Sequence, residues 1–213
     1  GLIIVPWSVF LLKVPSAGAI IQSVGVKPLI IANLLSVSWG VANILYLVCV
    51  IHIGAAITGA TLSALGMSVG VLMPMLIKGS GLFAHAPDLL SPAGGIILTG
   101  LLVMIIGIVL TTKAGLAREK VIKDEQTRRE DITYKGGFLK GLLLAAIAGI
   151  LSSGISLAFV YGQSPVASAV EAVGGSPVIQ SFSVWALAIA GGGLVNVGYA
   201  FYLMVKRRTL KTF

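Results

Sequence analysis

Charge is scarce in this sequence: Asp, Glu, Lys and Arg make up 10% of its 213 residues, against 57% hydrophobic ones. With a mean hydropathy of +1.03, that scarcity excludes an ordinary soluble domain, in which about a quarter of residues are charged. Cysteine is nearly missing too. Cys49 stands alone, which rules out an internal disulfide and any multi-cysteine metal site and leaves it the role of a small buried apolar filler. HExxH and phosphate-loop patterns are absent, and GGG at 191–193 makes no GxGxxG fingerprint, with no strand pattern preceding it. His85 and Asp88 lack metal-ligand spacing. Nothing calls for a cofactor, and nothing supports an enzyme.

Long apolar runs are what the sequence has instead. A helical span needs about 20 mostly apolar residues. Four stretches, 28–51, 53–77, 92–112 and 141–161, reach that length without one charged residue. A fifth, 178–205, is long enough to span with tilt. The expected fold class is therefore all-α, a polytopic transmembrane helix bundle. The opening GLIIVPWSVFLL is apolar over only twelve residues, begins with Gly1, lacks the basic start of a secretory signal and is followed by more membrane helices. It reads as a cut helix, and the chain as a fragment.

Breaks are expected where Gly and Pro cluster. They are an outer loop over 13–27, a tight turn at His52 to Gly54, an outer loop GSGLFAHAPDLLS, and an outer connection GQSPVASAVEAVGGSP. The linker LAREKVIKDEQTRRED predicts a short surface helix, supported by the i,i+4 pairs Glu119–Lys123 and Glu125–Arg129.

The net charge of +8 does not point to nucleic acid. Twelve of the 15 basic residues lie in 113–140 and 206–211, where the five acidic residues of the linker dilute them. Positive charge in short flanking loops marks the cytoplasmic side. The central linker and the C-terminal tail are thus both expected in the cytoplasm, and the two spans between them, an even number, agree.

Two helices carry stripes of small residues suited to close packing in lipid. These are Gly59, Ser63, Gly66 and Gly70, leading to Pro74, and Gly137, Gly141, Ala145, Gly149 and Ser153, with Ser152 and Ser156 alongside. Both read as packing faces, with the serines able to bond a carbonyl one turn back. Polar residues inside the spans are more pointed. Trp39, Asn43 and Tyr46 share one helix face by their spacing of four and three, and Gly192, Asn196 and Tyr199 repeat it. An unpartnered amide in hydrocarbon costs several kcal/mol, so each Asn faces protein or a wet cavity. Neutral amides and hydroxyls beside aromatic faces suit an uncharged polyol or sugar; hydrogen bonding to neighbouring helices is the simpler alternative. His52, at a turn, is an interfacial residue able to titrate near neutral pH.

In order along the chain, LIIVPWSVFLLKVP, LSVSWGVANILY, IGAAITGATLSALGMSVGVLMP, GLLVMIIGIVLTTKAGLAREK, KGLLLAAIAGILSSGISLAF and GGGLVNVGYAFYLMVK resemble the L-rhamnose-proton symporters. These are sugar transporters of the drug/metabolite transporter superfamily. The resemblance implies a ten-helix inverted-repeat transporter of two five-helix halves, with a sugar site at the repeat interface and alternating access. It implies a chain that lacks the first and last three helices of its parent. Residues 1–112 then belong to the N-terminal half, 113–135 to the cytoplasmic linker, and 136–213 to the first two helices of the C-terminal half.

The implied function is a secondary carrier importing L-rhamnose or a similar sugar with protons, located as a multi-pass protein in the bacterial inner membrane. Its partners are then the sugar, the proton, the lipid bilayer and the missing helices. Expected substrate contacts are Asn43, Tyr46, Asn196 and Tyr199, with Trp39 stacking on the sugar ring and Ser153 and Ser156 as additions. Proton coupling needs a group that takes up and releases a proton, and no complete span has an internal carboxylate. The group lies in absent helices, or is His52, or coupling differs. An exporter or exchanger of another metabolite and a non-transporting membrane scaffold are the alternatives.

Overall fold

The structure is a computed structural model that describes residues 3–78, 83, 86–126 and 138–208. Side chains are described for the same residues except 111–112, 115–116, 118–126 and 138–139. The described residues form helices and no strand, in the order α1 (Ile4–Lys13), α2 (Ala17–Val24), α3 (Val26–Ile53), α4 (Ala55–Leu76), α5 (Pro92–Gln126), α6 (Phe138–Ser152), α7 (Gly154–Glu171), α8 (Pro177–Ala188) and α9 (Ala190–Lys206). Among the described residues four helical stretches, Val26–Ile53, Ala55–Leu76, Pro92–Leu110 and Lys140–Glu171, are long and apolar enough to cross a membrane, or six with each of two bent pairs taken as one span. The pairs are α1 with α2, bent by 106°, and α8 with α9, bent by 53°. The expected all-helical polytopic bundle is what forms.

Two compact units divide the chain. The first holds Gly1–Val41, Gly70–Ala86 and Gly154–Phe213. Its core joins Phe10, Ile20, Ala32, Ala158, Val166, Val184 and Leu187, so α1, α2, the start of α3, α7 and α8 meet there. Backbones come close where side chains are small: a Cβ on Gly162 would lie 2.7 Å from the Cβ of Ala188. Nearby, the Phe159 and Trp185 rings tilt against each other at 5.6 Å.

The second unit holds Ala42–Val69 and Pro87–Ser153. Cys49, Ile53 and Ala145 form its buried core, with Ile57, Leu62 and Leu144 packed around them. Cys49 is the apolar filler expected of it. The stripe on α6 packs as predicted: a Cβ on Gly141 would lie 2.9 Å from the Cβ of His52, and one on Gly149 would lie 2.8 Å from the Cβ of Leu65. Gly137 lies outside the described residues. On α4 the expected stripe is used unevenly, because Gly66 abuts the Ser152 hydroxyl while Gly59 has open space around it.

Several breaks differ from expectation. The stretch 13–27 is not a loop throughout. Ser16, at a left-handed φ of 54°, turns the chain, and Ala17–Val24 then forms α2, which buries Ile20 and Val24. GQSPVASAVEAVGGSP is helical as far as Glu171, with Pro165 inside α7. The reason is burial: Ala158, Gly162, Val166 and Val170 recur every four residues on the buried face. The turn is confined to the residues around Gly174, whose φ is +80°. The linker helix is not a separate short element, since α5 continues from the apolar run to Gln126; Arg129 lies outside the described residues, as do the side chains of Glu119, Lys123 and Glu125. The span expected over 141–161 falls within one span-length stretch, Lys140–Glu171, in which Ser153 marks the only irregularity between α6 and α7. The α3–α4 turn falls where predicted, at Gly54 with φ +81°.

Candidate functional site

Trp39, Asn43 and Tyr46 lie on the unbroken helix α3 and share one face of it. In the first unit Trp39 is half-buried against the core, with its ring edge against Gly192. In the second, Asn43 and Tyr46 are half-buried. The Asn43 side chain makes no hydrogen bond among the described residues.

On α9, Asn196 is half-buried and its Nδ2 donates to Gly192 O, one turn back, at 3.1 Å. That bond uses one of the amide's donors within its own helix. Tyr199 is half-buried and stacks on Tyr202, with ring centroids 6.3 Å apart. Ser153 is buried at the α6–α7 break and donates to Ile150 O at 2.7 Å. Ser156 is half-buried in the first turn of α7. His52 sits in the last turn of α3, where Nδ1 donates to Val48 O at 2.8 Å.

A groove of about 470 Å³ lies between α2 and α7, lined by Ile20, Ser23, Pro165, Ser168, Ala169 and Val173 among others. None of the seven candidate residues lines it. Its walls are mostly apolar, with two serine hydroxyls. Among the described residues no three His, Cys, Asp or Glu side chains come together as a metal site.

The residues that the sequence reading missed are Asn33 and Ser36. Asn33 Nδ2 donates to Leu29 O at 2.8 Å and to Leu187 O at 2.7 Å, while its Oδ1 accepts from Gly191 N at 2.7 Å. Ser36, fully buried, donates to Asn33 O at 2.9 Å and accepts from Gly192 N at 2.9 Å. Here is the interhelical polar bonding weighed for Asn43 and Asn196, carried instead by an amide ten residues earlier. The available signal was a second amide in the same apolar helix, with a serine three residues on.

Neutral polar groups set in apolar helices of span length, with two bent spans among them, together define a multi-pass helical membrane protein. The chain belongs to the L-rhamnose-proton symport protein family (RhaT), whose profile matches residues 1–212. Proteins named L-rhamnose-proton symporter from Escherichia coli and Shigella boydii are 29% identical to it over 209 residues, and one from Klebsiella pneumoniae is 29% identical over 208. Each alignment covers 98% of this chain and 57% of the relative, so the chain spans little more than half the length of the curated proteins it matches. No solved structure matches it.

Proposed function

We propose that the chain is part of a secondary carrier that imports L-rhamnose or a similar deoxy sugar together with protons across the bacterial inner membrane. The observation that carries this reading is the family match over residues 1–212, to a family described by that sugar and that ion. The side chains are compatible with it. A neutral sugar asks for amide and hydroxyl partners and a flat apolar face, and Asn43, Tyr46, Asn196, Tyr199 and Trp39 supply these types on two membrane helices. Ser153 and Ser156 are weaker contributors, the former because its hydroxyl already bonds Ile150 O.

In this reading residues 1–112 belong to one half of an inverted-repeat carrier, 113–135 to a cytoplasmic linker, and 136–213 to the other half. The basic residues concentrated in 113–140 and 206–211 support the placement of linker and tail in the cytoplasm. His52, in the last turn of α3, is a candidate proton carrier.

Asn43→Leu and Asn196→Leu, made in the natural full chain and checked for expression, are expected to cut radiolabelled rhamnose uptake at least tenfold. Unchanged uptake in both would remove these residues from the sugar path. Cells expressing the carrier are expected to make their medium more alkaline when rhamnose is added, as inward proton movement requires; acidification would instead favour an exporter.

A further inference from the structure

The bend between α8 and α9 has its cause outside both helices. In a continuous α-helix the Gly191 N–H would donate to the Leu187 carbonyl, four residues back. Here the Asn33 side-chain amide stands between the two groups. Its Nδ2 donates to Leu187 O and its Oδ1 accepts from Gly191 N, both at 2.7 Å. The next rung is replaced in the same way, with Gly192 N donating to Ser36 Oγ at 2.9 Å rather than to Ala188 O. Helical bonding resumes at Gly193 N, which donates to Ile189 O at 3.3 Å.

A side chain inserted into the i→i−4 ladder is one of the few causes of a sharp kink, and this one is 53°. Glycine lets α3 come close enough to do it. A Cβ on Gly191 would lie 2.8 Å from Asn33 O, and one on Gly192 would lie 2.8 Å from Trp39 Cε3.

We propose that Asn33 is a removable wedge, and that α8–α9 is a two-position hinge whose bent position is the one with the amide inserted. When Asn33 withdraws, Gly191 N and Leu187 O face each other and close the bond that a straight helix makes. In the bent position Leu187 O, Gly191 N and Gly192 N find their partners on α3, and in a straight one the helix itself supplies them, as a membrane requires of backbone groups. Within the transport reading above, on which this last step rests, the hinge swings α9, with Asn196 and Tyr199, relative to α8.

The test places spin labels at Val178→Cys and Val205→Cys, both exposed positions, in the natural full chain reconstituted in liposomes with Cys49 and any other native cysteine replaced. At about 1.5 Å rise per residue, the two backbone sites are about 36 Å apart across a bend of 53° and about 40 Å apart in a straight span. Asn33→Ala and Asn33→Leu are expected to lengthen the distance by about 4 Å on that rise, while Ser36→Ala, which removes only the second rung, keeps the shorter one. An unchanged distance in both Asn33 variants overturns the wedge.

If neither Asn33 variant accumulates in the membrane, the labelled protein with Asn33 intact decides. Two populations separated by about 4 Å, or a shift when L-rhamnose is added, support the hinge. A single population that the sugar does not move overturns it. Sugar uptake is read separately on liposomes holding the protein with Asn33 intact: no uptake there, beside straightening in the Asn33 variants, sinks the transport reading and leaves the wedge standing.

Discussion

Gly192 and Gly198 sit six residues apart on α9, and the same added methyl group acts on them in opposite ways. A Cβ on Gly192 meets the Ser36 carbonyl and the Trp39 ring, whereas one on Gly198 meets nothing within 4 Å. Gly192→Ala forces two backbones apart and is expected to cost about 1–3 kcal/mol, as overpacking does. Gly198→Ala, on an exposed helical position, is expected to be neutral or to stabilise by up to about 1 kcal/mol through helix propensity. Thermal unfolding of the two variants in detergent checks the contrast, and equal melting temperatures would contradict it. At this scale the sequence was partly legible. It shows that Asn43 and Asn196 are amides in apolar helices, but it does not show which amide bridges helices. Asn33 finds its interhelical partners more than 150 positions away, and periodicity within one helix carries no information about them.

Helix boundaries depend on a few residues that can be read locally and on burial that cannot. Ser91 accepts from Gly94 N at 3.0 Å and Pro92 follows it at the first position of α5; Ser176 and Pro177 open α8 in the same manner. The same dipeptide, Ser164–Pro165, lies inside α7. Read locally it marks a turn, yet the buried positions at 162, 166 and 170 carry the helix through it. Ser91→Ala removes a cap and is expected to cost about 1 kcal/mol. Gly54 is the local signal that held: its φ of +81° at the α3–α4 turn makes Gly54→Ala strained, by about 1–2 kcal/mol for a left-handed L-residue. Both losses are measurable as lower melting temperatures, and a Gly54→Ala protein as stable as its parent would show that the turn relaxes to negative φ.

For the whole molecule, composition was enough to read the class. Four uncharged runs became four span-length helices, because in lipid the backbone must satisfy itself and a helix does so within one segment. Bends were not legible, since the apolar pattern runs unbroken through residue 189 and only a partner from α3 interrupts the ladder there. The sidedness proposed from the basic residues has a direct check. In right-side-out vesicles an impermeant maleimide is expected to label Val173→Cys, in the α7–α8 turn, and to spare Arg207→Cys at the end of α9. The reverse pattern would invert the topology.

The group that holds the α8–α9 bend is a carboxamide, with a fixed donor and a fixed acceptor and no net charge. It can enter or leave the helix without gaining or losing a proton, and its movement carries no charge through the electric field across the bilayer. The bend is therefore indifferent to both components of a proton-motive force, and under the proposed transport function coupling to that force falls to residues other than the one that shapes the helix.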